Sequence, residues 1–147
     1  MTRRLVFLAV FAILAVAGLA ARAADPVENF LHRWEDPRLF DARDLDQNFR
    51  AEVNGGGQSL VLDRDQTIAF NQRIRQILTS YKLKSFRIVQ RHETGGNVVV
   101  TYATAYEMKL RGQPVAIQEI ATVTLARGGK NGFRVLSVRS DQKEDNG

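Results

Sequence analysis

One carboxylate in this sequence stands where an apolar side chain is expected. Val115, Ile117, Ala121, Val123 and Leu125 recur at every second position, and Glu119 interrupts the row. A carboxylate so placed must find a partner, reach water or take up a proton. Its neighbours follow from the turn Arg111-Gly112. Read as a two-residue hairpin loop, that turn sets Leu110 opposite Gln113, Met108 opposite Val115, Tyr106 opposite Ile117 and Thr104 opposite Glu119. Further along, Tyr102 faces Ala121, Val100 faces Val123 and Val98 faces Leu125. A slip of one residue would separate the two apolar rows, so the pattern supports this register. Arginine is, however, a poor residue for the positive φ that such a turn requires.

Tyr102 and Tyr106 then lie diagonally across from Glu119, within reach of long side chains. A two-residue loop at Gly95-Gly96 places Arg87 beside Thr104, giving a line Arg87, Thr104, Glu119 across neighbouring strands. In the last strand Arg139 faces Glu119 if Leu125 pairs with Phe133. A shift of one residue brings Leu136 and Val138 to that face instead, and both registers stay open. Two readings follow. In one, Glu119 is an acid or base on a pocket floor, with Tyr102, Tyr106, Thr104 and Arg87 orienting a ligand. In the other, a cross-strand Glu–Arg pair stabilises a sheet surface, for instance at a dimer contact.

The remaining candidates are weaker. His32 lies beside the apolar stripe of the first helix and could reach the pocket mouth, although a lone histidine is more often a solvated or capping residue. His92 sits by a glycine turn, where exposure is expected. These two histidines share no metal-ligand spacing and the chain has no cysteine, so no metal site, thiolate nucleophile or disulfide is expected. Trp34 falls on a core stripe but is kept as a ligand-stacking candidate. Arg73 and Arg75 decorate a solvated face. No nucleophile elbow, phosphate loop or dinucleotide fingerprint is present, and no cofactor is implied.

The elements that must position these groups can be read from periodicity. Asp25-Pro26 opens a helix whose stripe is Val27, Phe30, Leu31 and Trp34. Asp36-Pro37 stops it and starts a short second helix carrying Leu39 and Phe40. Phe49, Ala51 and Val53 alternate as a strand and point inward; Asn54-Gly55-Gly56-Gly57 turns, and Ser59 to Leu62 returns. Asp63 or Asp65 caps a longer helix with stripe Phe70, Ile74, Ile77, Leu78 and Tyr81. Four strands follow, at 83–92, 97–110, 113–126 and 132–141, joined by short loops as an antiparallel meander. The tail 142–147 is polar and expected to fray.

The N-terminus reads as an address. Thr2-Arg3-Arg4 precedes an apolar run from Leu5 to Ala20, and Ala21-Arg22-Ala23 supplies small residues for cleavage before Ala24. This is the pattern of a secretory signal peptide over residues 1–23. The run of 16 residues is shorter than the roughly 20 that span a bilayer comfortably. The expected location is therefore periplasmic or secreted, with no membrane association once the peptide is removed. Residues 1–23 hold three of the 21 basic side chains and no acid, so the formal charge of +5 falls to +2 for the remainder. That balance is not a nucleic-acid-binding footprint.

Helices followed by long antiparallel strands form an α+β order. In the Pro26–Trp34 helix, the Phe49–Leu62 hairpin, the Asp63–Tyr81 helix and four closing strands, the chain resembles the nuclear transport factor 2-like superfamily, also called SnoaL-like or ketosteroid-isomerase-like. The resemblance lies in element order and length and covers residues 24–141. It implies a cone-shaped sheet curved around the N-terminal helices and a conical pocket. The superfamily's isomerases use a tyrosine in the first helix and aspartates on strands. Here Val27, Phe30, Leu31 and Trp34, then Phe49, Ala51 and Val53, fill those inward positions, which argues against steroid isomerisation. The resemblance also implies a homodimer through the sheet, whose outer residues Thr101, Ala103, Ala105, Ile120, Thr122 and Thr124 are small or β-branched.

The expected function is an exported binding module for a small apolar ligand or a protein partner. The alternatives are an isomerase or dehydratase-like lyase with Glu119 as general base and Tyr102 or Tyr106 as electrophile, and a membrane-anchored subunit of an envelope assembly. N-terminal sequencing of the exported protein checks the address: a start at Ala24 is expected, whereas an intact Met1 identifies an anchored form.

Overall fold

The structure, a computed structural model, describes residues 25–145; the expected signal peptide and the last two residues lie outside the described residues. Helix α1 (Pro26–Glu35) is capped by Asp25, whose side chain accepts from Val27 N, with proline at its first position. Two single-turn 3-10 helices (Pro37–Leu39 and Ala42–Asp44) lead into strands β1 (Leu45–Gly55) and β2 (Gln58–Asp63). Helix α2 (Arg64–Ile77) starts with a reciprocal capping box between Asp63 and Gln66. Strands β3 (Leu78–Thr94), β4 (Asn97–Leu110), β5 (Gln113–Arg127) and β6 (Phe133–Glu144) complete the chain. No described helix is long and apolar enough to cross a membrane.

The six strands form one mixed sheet in the order β2-β1-β6-β5-β4-β3. The meander of β3 to β6 is antiparallel, and β1 joins β6 in parallel. The β4–β5 register is the one the sequence predicts, with Thr104 opposite Glu119 and Val98 opposite Leu125. Arg111 carries the turn at φ 52, the one positive φ outside glycine among the described residues, and Gly112 follows at φ 77.

Curvature comes from β3. Its pairing with β4 slips by one residue three times, leaving Thr79, Lys84 and Val89 as the extra residues. Each such bulge lengthens one strand relative to its partner and bends it. The inward residues of β3 therefore step unevenly. Tyr81, Leu83, Phe86 and Ile88 sit opposite the evenly spaced Met108, Tyr106, Thr104 and Tyr102.

Four expectations are corrected here. The second long helix ends at Ile77 rather than Tyr81, because Leu78-Thr79-Ser80-Tyr81 joins the sheet, where β-branched and aromatic side chains fit better than in a helix. Arg87 pairs with Ala103 rather than Thr104, because the bulge at Val89 turns it to the outer face. Arg139 pairs with Thr122 and so leaves the inner face, whereas Val138 comes to that face opposite Val123, as the shifted register expects; the pairing differs from it because Leu136 is the extra residue of a further bulge, which sets Leu125 opposite Val135. The tail is not frayed at Gln142, which pairs with Glu119 inside β6.

The core joins α1 to the closed end of the sheet. Val27, Phe30 and Leu31 pack with Phe49, Val98, Val100, Tyr102, Val123, Leu125, Phe133 and Val135. Phe30 meets Phe133 edge-on at 5.4 Å. Trp34 flanks this core, its ring 6.2 Å from Phe49 and 6.3 Å from Phe40. By contrast α2 has no fully buried residue, and Phe70 on its expected stripe is exposed. It rests on β1, β2 and the first 3-10 turn.

The strained turn yields a test. Replacing Arg111 by Asn creates the Asn-Gly dipeptide that this turn favours. Arg111→Asn should raise stability by about 1 kcal/mol, read from denaturant titration without change of slope.

Candidate functional site

Burial along the inner face of β4 changes abruptly. Val98, Val100, Tyr102 and Thr104 are buried, whereas Tyr106, Met108 and Leu110 keep accessible surface. On β5 the same break falls after Glu119, since Ile117 and Val115 are only half-buried. Tyr81 of β3 is half-buried as well. The inner face is fully buried at one end and half-buried at the other, and the polar groups of interest lie at the boundary.

Glu119 is 7% exposed. Its Oε2 accepts from Ser140 Oγ and, at 2.9 Å, from Gln142 Nε2. Its Oε1 is buried with no hydrogen-bond donor. Near it stands Glu35, the last residue of α1, close enough for the two carboxyls to act on one another. Burial first, and then the charge of Glu119, push the Glu35 carboxyl well above the usual carboxylate range. Glu35 is surrounded by protein yet retains some accessible surface.

Three phenols surround the acids. Tyr102, fully buried, donates its hydroxyl to Glu35 Oε1 and stacks on Phe86 at 5.1 Å. The rings of Tyr81 and Tyr106 lie 5.7 Å apart. The Tyr81 hydroxyl is buried and unpartnered. Burial, then the two carboxyls, hold the phenols of Tyr102 and Tyr106 far above their ordinary value; for Tyr81 burial, Glu35 and Asp36 act in that order. All three therefore stay protonated at physiological pH.

At the mouth, Asp36 accepts from the backbone, Nε and Nη2 of Arg38, which lower its pKa despite its burial, and Arg38 lies over the Tyr81 ring at 5.7 Å. Arg33 is bound to Asp44 at 2.6 Å, and Asn131 donates to Asp44 at 2.8 Å, which pins α1 to the loop before β6. Neither Glu35 nor Glu119 has an Arg, Lys or His partner among the described residues. Among those residues no His, Asp and Glu trio is grouped to hold a metal ion.

The sequence candidates thus divide. Glu119, Tyr102, Tyr106 and Thr104 meet on the inner face, but Thr104 donates to Ser85 O at 2.9 Å rather than to Glu119. Tyr102 bonds Glu35 and not Glu119. Arg87 is exposed on the outer face, beside a groove of about 660 Å³ formed with Ala103, Ala105, Gln118 and Ile120. Trp34 is committed to the aromatic flank of the core. His32 stacks edge-on against Phe86 at 4.4 Å and approaches Glu28 at 3.7 Å. Glu35 was not anticipated. Its signal was the helical stripe itself: Val27, Leu31 and Glu35 are spaced i, i+4, i+8, so an acid stands where the third apolar residue belongs.

Two tests follow from the acid pair. Glu35 in the unfolded chain titrates near 4.5, and in the fold well above it, so the folded state holds the extra proton between those values. Its stabilisation is complete below the unfolded value and is lost as pH rises through the folded one, at up to about 1.4 kcal/mol per pH unit. Glu35→Gln, which keeps a donor toward Glu119, should flatten the decline of the melting midpoint from pH 5 to 9. Tyr102→Phe removes the donor to Glu35 and should cost about 1–3 kcal/mol in denaturant titration.

No protein-family model matches the sequence, and no curated protein matches it. Solved structures do share its architecture. A conserved protein from Planctomyces limnophilus superposes with a TM-score of 0.61 at 11% identity, covering 89% of this chain and 99% of that one. An NTF2-like protein of unknown function in nutrient uptake from Rhodospirillum rubrum superposes with a TM-score of 0.57 at 12% identity, covering 80% of this chain and 98% of that one. With its curved six-stranded sheet closed over α1, the chain adopts the nuclear transport factor 2-like cone fold.

Proposed function

We propose that this protein is an exported binding module, without catalytic activity, whose conical hollow takes a small ligand. The observation that carries this reading is the break in burial along β4 and β5, where the inner face passes from solid core to half-open wall at Tyr106 and Ile117. Apolar side chains form most of that wall, and a few convergent polar groups lie at its floor, as ligand sites usually require. Glu119 is a poor general base in this arrangement: Ser140 and Gln142 occupy one oxygen, and the other has no accessible surface. The expected signal peptide would deliver the module to the periplasm or outside the cell.

A lyase or isomerase reading retains one specific support, two carboxyls near the Tyr106 phenol, which forms no hydrogen bond among the described residues. That reading requires turnover of a ligand that binds, lost in Glu119→Gln. The outer face of the sheet, where the Thr101 and Thr122 hydroxyls are joined at 2.9 Å and Ile120 is exposed, supports pairing of two copies through the sheet. Light scattering should then give twice the chain mass, and a strict monomer removes this part of the proposal.

Filling the hollow tests the main reading. Ile117→Phe should leave the protein folded within about 1.5 kcal/mol, since the added volume enters open space rather than packed core. A ligand found by thermal-shift screening at about 100 times its dissociation constant should stabilise the native protein by about 2.7 kcal/mol. It should fail to stabilise Ile117→Phe. Equal stabilisation of both would place the ligand elsewhere.

A further inference from the structure

We propose that strand β2 is a pairing edge, at which two copies of this chain join their sheets through an antiparallel β2–β2 contact centred on Leu60. This surface is separate from the hollow and from the outer face of the sheet, so the proposal depends on neither.

The sheet has two edges, β2 and β3, and they are built differently. Strand β3 is interrupted by bulges at Thr79, Lys84 and Val89 and carries Lys82 and Lys84. Bulges and lysines keep an edge from recruiting another strand. Strand β2, Gln58-Ser59-Leu60-Val61-Leu62-Asp63, has neither. It pairs with β1 without a register shift, and its one charge lies at its end. Leu60 on the inner face is 47% exposed, and Val61 on the outer face is 50% exposed. An unguarded edge with apolar side chains exposed on both faces is a template for a further strand.

The turn decides which groups this edge offers. Gly56 and Gly57 have φ of 58 and 76, which closes a two-residue hairpin on Gly55 and Gln58. That closing pair is hydrogen-bonded, and the bonding alternates from there. Gln58, Leu60 and Leu62 therefore bond to β1, and the N–H and C=O of Ser59, Val61 and Asp63 point away from it. Asp63 is already satisfied by helix α2. Its N–H donates to Gln66 Oε1 at 2.9 Å, and its carbonyl accepts from Thr67 Oγ1 at 2.7 Å. The N–H and C=O of Ser59 and Val61 remain, and no backbone group among the described residues bonds them.

A second copy offers the same groups in reverse order. Setting Ser59 opposite Val61 of the second copy, in both directions, makes four backbone hydrogen bonds and uses every free group on both strands. Leu60 then faces Leu60 of the second copy in the close, non-hydrogen-bonded pair. Both extend the inner apolar row in which Leu62 packs on the core. Asp63 falls opposite Gly57, so no like charges meet. A register centred on Val61 would make two bonds instead of four, because it sets Ser59 against the occupied Asp63. This two-fold fit is what favours a second copy over a foreign strand. Strands this short cover less surface than a permanent interface needs, so association should be weak and should grow with concentration.

The test uses the exported chain carrying Ile120→Arg, chosen to block pairing through the outer face. Sedimentation equilibrium over a concentration series should show the mass rising from one chain to two. Val61→Pro deletes an outward N–H at an edge position that tolerates proline, and should weaken the association at least about tenfold. The chain has no cysteine, so single substitutions report the register. Leu60→Cys, at the directly opposed pair, should form an intermolecular disulfide at least about tenfold faster than Val61→Cys. If Val61→Pro does not fold, the two cysteine variants decide alone. Equal cross-linking of both overturns the register and the proposal with it. A mass that stays at one chain, or that rises equally in Val61→Pro, overturns the proposal as well.

Discussion

The arrangement depends on two acids brought close together inside a protein, where burial and the neighbouring Glu119 hold the Glu35 carboxyl well above the usual carboxylate range. Glu35 comes from the end of α1 and Glu119 from the middle of β5, and their approach joins the helix to the sheet where the inner face passes from buried to half-buried. Everything near them serves to make that meeting tolerable. Tyr102 gives a hydroxyl to one acid, and Ser140 and Gln142 give donors to the other. Buried polar networks of this kind hold a unique geometry when complete and are costly when a member is missing. Here one oxygen of Glu119 is buried and receives no hydrogen bond.

The sheet makes this possible by being uneven. A flat sheet would lay α1 along its whole length. The three bulges of β3 instead bend the wall, and beyond Tyr102 the inner residues Tyr81, Tyr106 and Met108 are only half-buried. The same bulges decide which side chains enter. With strict alternation Arg87 would stand next to Thr104 and supply a cation to the floor. The extra Val89 sends Phe86 inward to stack on Tyr102 and Arg87 outward. The unpaired acidity of the floor is therefore a product of strand geometry as much as of composition.

How much of this could be read in advance follows from where periodicity is regular. The β4–β5 hairpin has a two-residue loop and unbroken alternation, and all its pairs, including Thr104 with Glu119, follow from counting. Strand β3 was misread because a bulge breaks the count, although the spacing of Tyr81, Leu83, Phe86 and Ile88 records it. Gln142 was assigned to a frayed tail on polarity alone, but a buried carboxylate needs donors, and a polar residue in register with Glu119 supplies one. Glu35 is harder to read because it ends the helix, just before Asp36-Pro37, where an acidic residue is ordinarily solvated. An acid in an apolar stripe carries the same message in a helix as in a strand.

Helix α2 has well-made ends and a poorly held middle. Its capping box is complete, yet none of its residues is fully buried, and it leans on β1, β2 and a single turn rather than on the core. Such an element opens at a free energy well below that of global unfolding. Its amides should exchange with solvent long before those of β4 and β5 do, so the chain divides into a firmly held body of sheet and first helix and a second helix that can come away from it first.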